Sequence, residues 1–374
     1  MKKIIAALMA TVLVLALAAC ATPTTTTPGA GTTTGAGDAP AANLDITVAV
    51  LDGGLGGLPV WIAEHKGWFA DAGLNVNRIG FTNGPVQMEA IDSWDVGLTG
   101  IGGILSGTIN FGAVIIGIIN TDDGTQYIWA RPDSPAVLAG QGNNTLHPGI
   151  YGDAESWRQM RINSTFGTVM HLLVLQTLSG FGLTADDVQI SWMDMPTANA
   201  ALLAGEGDAA STSGDMSFME DKENFVAASS GNMTQLGLRS AIMGNPNAMQ
   251  DPATREATLL FMRVFFETID WMHANPAETA EHLISWGDFA GRTWDTRVAN
   301  LYIEADEYYT LARNYHEMNT PAGSGGDYTL AHEPILGILR FFIENEIYQA
   351  GDDDIFLSPQ FFDPSFINEL QPRS

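Results

Sequence analysis

The sequence predicts an α/β chain folded into two lobes, with mixed sheets and a helical C-terminal region packed back on the first lobe. Three observations predict it. Strand, helix and strand alternate from residue 44 to about 130, the same alternation restarts after Arg131, and beyond Leu236 the pattern changes to long amphipathic helices. Such alternation implies parallel or mixed sheets covered on both faces.

The N-terminus reads as an export device, residues 1–20. Met1-Lys2-Lys3 supplies positive charge, Ile4 to Ala19 an apolar segment shorter than the ~20 residues a membrane span needs, and Leu17-Ala18-Ala19-Cys20 resembles the lipobox of bacterial lipoproteins. Cys20 is the single cysteine of the chain, so in an oxidising compartment it has no disulfide partner and acylation explains it better. Residues 21–43 are Thr, Pro, Gly and Ala with almost no charge, a composition that buries too little apolar surface to fold; a flexible tether is expected.

Lobe 1 is expected over 44–130. Ile46 to Leu51 reads as a strand, Gly53-Gly54-Leu55-Gly56-Gly57 as a turn, and Pro59 to Ala72 as a helix opened by a proline that has no N–H to lose. Leu74–Phe81, Asp95–Thr99 and Ala113–Ile119 read as further strands. Lobe 2 is expected over 131–232, with strands at Gln159–Ile162, Val188–Met193 and Ala209–Ser211 and helices at Thr168–Leu178 and Thr197–Ala204. The remainder, 233–374, carries apolar periodicity for helices at Pro252–Ala274, Pro276–Ser285, Thr296–Tyr315 and Pro334–Ala350.

Composition bounds the function. The formal charge of −27 becomes −29 when the two signal lysines are removed, so nucleic acid, whose phosphates need clustered Lys and Arg, is not an expected partner. Hydrophobic content of 45% suits a globular protein with a large core.

Two stretches then resemble one family. The first is Pro59-Val60-Trp61-Ile62-Ala63-Glu64-His65-Lys66-Gly67-Trp68-Phe69, followed by Gly73-Leu74 into a strand, then Gly84, Glu89-Ala90 and Asp95-Val96-Gly97. The second is Gly167-Thr168 with His171 and Leu173, then Gly182-Leu183-Thr184-Ala185-Asp186-Asp187-Val188, then Ala200-Ala201 with Ala204-Gly205-Glu206-Gly207-Asp208-Ala209. In order and spacing they resemble the nitrate, sulfonate and taurine group of ABC-transporter solute-binding proteins, a branch of the type II periplasmic binding protein fold. The resemblance covers most of Ile46 to Ser211. Arg158-Gln159-Met160-Arg161 and Thr212-Ser213-Gly214-Asp215 depart from it, the second where the family's ligand contacts would be.

The resemblance implies an extracytoplasmic, lipid-anchored receptor that captures a small organic anion or zwitterion by lobe closure, works with an ABC permease, and is a monomer with no cofactor. A tethered ligand sensor of the same fold is the alternative, and a pyrimidine-precursor binder a weaker one, since that relative's cysteine-rich motif is missing. In such a fold, loops at the carboxyl ends of strands face the cleft. The expected lining is therefore Asp52, Gly53, Gly54, Thr82, Asn83, Gly84, Thr99, Gly100, Thr121, Asp122, Phe166, Gly167, Thr168, Asp194, Ser213, Gly214 and Asp215. Gly167-Thr168 is the sharpest of these: glycine admits close approach, and the N–H groups that open a helix attract anions, although a threonine there can also simply cap its helix. Asp194 and Asp215 are candidates to hold a ligand amine, in a lining expected to contain no Lys or Arg.

Enzyme readings find little support. The seven histidines show no metal-ligand spacing, no Gly-x-Ser-x-Gly elbow or phosphate-binding Gly-x-x-x-x-Gly-Lys loop occurs, and the acids of Asn120 to Gly124 are wrongly spaced for a calcium loop. Neither catalysis nor a metal site is expected.

Overall fold

In the computed structural model residues 43–371 are described; the signal segment, Cys20 and nearly all of the tether lie outside them. The chain begins with β1 (Leu44–Leu51), whose Ile46, Val48, Ala49 and Val50 are buried. A glycine turn leads into α1 (Leu58–Lys66) and α2 (Trp68–Asp71). These two replace the single helix expected over 59–72, because Gly67 adopts φ 76°, a left-handed conformation that ends α1 and accommodates only glycine readily. Then come β2 (Leu74–Phe81), α3 (Gly84–Glu89), β3 (Val96–Thr99), α4 (Ile101–Ser106) and β4 (Val114–Thr121).

The second lobe opens with β5 (Tyr127–Ala130), followed by α5 (Pro135–Ala139) and α6 (Ala154–Arg158), the latter opened by a reciprocal Asp153–Ser156 capping box. Next are β6 (Arg161–Ser164), α7 (Val169–Ser179), β7 (Gln189–Trp192), α8 (Met195–Leu203), β8 (Ala209–Thr212), β9 (Val226–Ser230) and α9 (Gly231–Thr234). The chain returns through β10 (Arg239–Gly244) to α10 (Pro252–Ala274), α11 (Pro276–Phe289), α12 (Thr296–Glu304), β11 (Glu307–Tyr308) and α13 (Leu311–Asn319). It ends with α14 (His332–Glu344), α15 (Asp352–Phe356) and α16 (Ser365–Leu370).

Two mixed sheets result. The first has the order β11-β4-β10-β3-β1-β2, the second β7-β6-β8-β5-β9. In the first, β1 runs parallel to β2 and β3, and β10 antiparallel to β3 and β4. In the second, β6 runs parallel to β7 and β8, and β5 antiparallel to β8 and β9. The sequence reading placed 127–130 in lobe 1, but β5 hydrogen-bonds only into the second sheet, so the chain crosses between lobes at 122–126 and returns at 231–238. The carboxylate of Asp123 ties the two crossings, accepting the N–H groups of Gly237 (2.9 Å) and Leu238 (2.6 Å).

The C-terminal helices pack on the first sheet. Asp251 caps α10, and Phe261, Phe265, Ile269 and Met272 along one face of it are buried, with Phe261 stacked on Phe69 at 5.6 Å. The helix expected over 296–315 is two, α12 and α13. Glu307 and Tyr308 are drawn out to pair with β4 as β11, and Thr310 caps a fresh start at α13. Beyond this short β11 the exposed edge of β4 is finished by a side chain: Asn314 donates to the carbonyl of Ile118 and accepts its N–H, at 2.8 and 2.7 Å. Among the described residues no helix is long and apolar enough to cross a membrane.

Candidate functional site

The carboxyl ends of β1, β3 and β4 meet at one end of the first sheet. Leu51, Gly54 to Gly57, Leu98 to Gly100, Asn120 and Asp122 enclose a cavity of about 110 Å³ there, completed by Ser240 at the start of β10 and Tyr302 of α12. The glycines shape it. The N–H of Gly54 donates to Leu51 O (3.0 Å), closing a turn in which Gly53 has φ 71°. A Cβ on Gly57 would come within 3.2 Å of Trp286, whose indole N–H donates to Gly54 O. A larger hollow of about 470 Å³ is formed by α2 and α10, not by strand ends.

The cavity is acidic. Asp122 closes the end of β4 and accepts a hydrogen bond from the Thr125 hydroxyl; burial, reinforced by the neighbouring Asp123 charge, pushes its carboxyl up to about 6. Asp306, on the link from α12 to β11, accepts from Asn120 Nδ2, and burial followed by the Asp122 charge holds its carboxyl well above the usual range. Tyr308 donates its hydroxyl to Leu55 O (2.7 Å). Tyr302 is held neutral by burial and then by the charges of Asp215 and Asp122. Asn120 Oδ1 and one oxygen of Asp306 are buried without a hydrogen-bond partner.

A rim joins the lobes. Asp215, beyond β8, accepts from Arg292 (2.6 Å) and from the Trp294 indole (2.7 Å), both on the return from α11. Gly214 has φ 62° and lies against Tyr302, whose hydroxyl would be 3.1 Å from a Cβ there. Arg292 also flanks Gly53, its Nε 3.0 Å from where a Cβ would be. The cavity lining holds no Lys or Arg, but Arg292, distant in sequence and not among the expected residues, sits on this rim. Asp52 lies over Gly80 and faces Arg78 at 3.9 Å, and Arg78 in turn holds Glu64 at 2.9 Å.

Other expected residues serve local structure. Asn83 caps α3, Gly84 lets α3 approach the backbone of Gly103, and Thr82 shares a hydrogen bond with Asn83. Thr121 pairs with Arg239 and Glu307 in the sheet. On lobe 2 the Thr168 hydroxyl accepts from Met170 N (3.3 Å) and donates to Thr165 O (2.8 Å), so it caps its own helix. Gly167 N–H donates to His171 Nδ1 (3.2 Å), and burial lowers the pKa of that imidazole, leaving it neutral with its proton on Nε2. Phe166, 63% exposed, and Trp192, 41% exposed, lie against His171 with ring centroids 4.9 and 4.6 Å from it, an open aromatic shelf at the ends of β6 and β7. Asp194 caps α8 through Thr197, and Ser213 N–H donates to Met195 Sδ.

The arrangement, two mixed sheets crossed twice with a cavity at strand ends, matches solved structures over most of the chain. The periplasmic aliphatic sulphonate binding protein SsuA from Escherichia coli superposes with a TM-score of 0.61 at 16% identity, over 81% of this chain and 93% of that one. The periplasmic nitrate-binding protein NrtA from Synechocystis PCC 6803 gives 0.60 at 12% identity, over 88% of each chain. A Candida albicans gene product described as having the generic periplasmic binding protein structural fold gives 0.59 at 10% identity, over 86% and 96%. The chain has the periplasmic binding protein fold. A curated relative from Brachyspira hyodysenteriae (strain ATCC 49526 / WA1), provisionally named an ABC transporter periplasmic binding protein, is 26% identical over 240 residues, 64% of this chain and 68% of the relative. No family model matches.

Within this binding-protein fold, Gly54, Thr99, Gly100 and Asp122 of the expected lining meet at the cavity, with Gly53, Gly214 and Asp215 at its rim. Asn120, Ser240, Tyr302 and Asp306 were not anticipated. Asn120 could have been found as the polar residue ending an otherwise apolar strand; Asp306 carried no signal, since its neighbours read as mid-helix. Among the described residues no group of three or more His, Cys, Asp or Glu stands placed to hold a metal ion.

Proposed function

We propose that the protein is the extracytoplasmic solute-capturing component of an ABC importer. Anchored by lipid on Cys20 and reaching out on its tether, it takes up a small organic zwitterion or anion as a monomer and delivers it to a membrane permease. The observation that carries this reading is the cavity at the ends of β1, β3 and β4, with buried acceptors that lack partners, beside two crossings able to act as a hinge. The sulphonate- and nitrate-binding names of the structural neighbours and the ABC-transporter name of the relative support it. Capture without turnover is the function this supports.

A thermal-shift screen of sulfonates, nitrate, amines and pyrimidines, followed by X-ray scattering on each binder, tests it. A captured solute should raise the melting temperature by mass action and change the radius of gyration as the lobes close. A saturable binder that leaves scattering unchanged, or is chemically altered, would overturn the reading. Replacing Cys20 with Ser should leave an exported protein that no longer partitions into detergent; continued partitioning would remove the lipid anchor.

A further inference from the structure

We propose that this cavity seats an organic ammonium group, with Asp122 and Asn120 Oδ1 as its acceptors and Asp306 as the residue that positions Asn120. The proposal rests on the solute-capture reading and adds the charge and orientation of the solute.

The lining of the cavity contains no Lys or Arg, while Asp122 faces it and Asp306 stands directly behind Asn120. The basic groups beside the lining are Arg239 and Arg292, and Arg239 Nε is buried without a partner. Arg292 is held by Asp215, and Arg239 donates to Leu238 O and lies over the Tyr309 ring at 5.7 Å.

A second observation is independent of charge. Asn120 is 2% exposed and lines the cavity, yet its Oδ1 accepts no hydrogen bond. In the structure the Nδ2 of that amide donates to the Asp306 carboxyl, which leaves Oδ1 as the atom without a partner. The carbonyl oxygen left over is an acceptor, as is the unpaired oxygen of Asp306. Buried acceptors without partners are uncommon in folded proteins, and those here lie beside a carboxylate. An occupant that satisfies them must bring hydrogen-bond donors, and the Asp122 carboxylate beside them favours one with positive charge; an ammonium supplies both, a sulfonate or nitrate oxygen neither.

Orientation follows for a solute with two charged ends. The ammonium enters first, toward Asp122, and an anionic end remains at the rim, where the Arg292 side chain is 40% exposed beside Gly53. This reverses an anion-first arrangement. It also relieves Asp215 of an amine-binding role, since that carboxylate already accepts from Arg292 and Trp294.

Two measurements on the full mature chain decide it. Methylammonium chloride, taken to about 100 mM against matched sodium chloride, should give a saturable rise in melting temperature that is lost in Asp122→Asn. Taurine and its hydroxyl analogue 2-hydroxyethanesulfonate differ only at the amine. Wild type should prefer taurine by about tenfold or more, and the preference should fall toward unity in both Asp122→Asn and Asp306→Asn. A rise no greater than with sodium chloride, a taurine preference that survives both substitutions, or equal binding of the two sulfonates by wild type would overturn the ammonium seat. A sulfonate that binds all three proteins alike and closes the lobes would leave the capture function standing and remove only this inference.

Discussion

The strand ends of the first sheet and those of the second offer opposite surfaces to the cleft. On the first lobe, β1, β3 and β4 end at a recessed cavity with Asp122 and an unpaired Asn120 carbonyl. On the second, β6 and β7 end at an open shelf of Phe166 and Trp192, where Thr168 and Asp194 serve as helix caps and Thr165 Oγ1 is buried without a partner. The first surface presents buried polar atoms without partners, Thr99 Oγ1 among them, and the second exposed aromatic rings. On the capture reading proposed above, a solute charged at one end would meet Asp122 on lobe 1 and lie under the lobe-2 rings after closure.

The largest expected effect contrasts two tryptophans. Trp286, on α11, is fully buried against the glycine turn, so Trp286→Ala should cost about 3–5 kcal/mol in denaturant unfolding. Trp192→Ala, on the open shelf, should stay within about 1 kcal/mol while weakening solute binding. Equal losses of stability would break the contrast between a framework lobe and a covering lobe.

An intermediate effect concerns the acids. The Asp122 carboxyl has its folded-state pKa raised from 3.8 to about 6, so between these values the native state binds more protons than the unfolded state. Stability from this group is accordingly lost as pH rises from about 4 to about 6 and is flat above. Asp122→Asn, which keeps an acceptor for Thr125, should remove that slope. It should make the protein more stable than wild type by about 1–3 kcal/mol at pH 7 and equal to it near pH 4, measured by urea midpoints at each pH. A stability penalty retained at neutral pH and relieved by substitution marks a group held for binding. Parallel pH profiles would show that the cavity tolerates its charge without cost.

The smallest effect sharpens the other side. Thr168 spends its hydroxyl on α7, so Thr168→Val should cost about 0.5–1 kcal/mol of stability and leave solute affinity unchanged, by calorimetry. A tenfold loss of affinity would restore Thr168 to the ligand surface that its place after Gly167 suggested.

Much of the lobe-1 cavity was legible because its parts are local. A strand that ends in Thr99-Gly100, a glycine turn after Leu51 and an acid after β4 announce themselves through period, glycine and the change from apolar to polar residues. The lobe-2 expectations were legible in position but not in use. A threonine opening a helix looks the same in sequence whether its hydroxyl serves a ligand or its own turn. Arg292 and Asp306 left no trace, since each reaches the site from a distant connection, Arg292 77 residues after the Asp215 it holds and Asp306 186 residues after Asn120.

By itself the sequence determined what depends on neighbours along the chain: the α/β alternation, most strands and helices, and the break in character after Leu236. Tertiary structure alone decided what depends on pairing across it. β5 and β10 are short strands, of the sequences Tyr-Ile-Trp-Ala and Arg-Ser-Ala-Ile-Met-Gly, that become strands because partners on both sides complete their backbone hydrogen bonds. Glu307 and Tyr308 leave a helical pattern for the edge of β4, and this brings Asp306 beside Asn120. Period and propensity report a residue's own backbone preference, whereas the placing of Asp306 behind an Asn120 that lines the cavity is set by which distant edges remain to be paired.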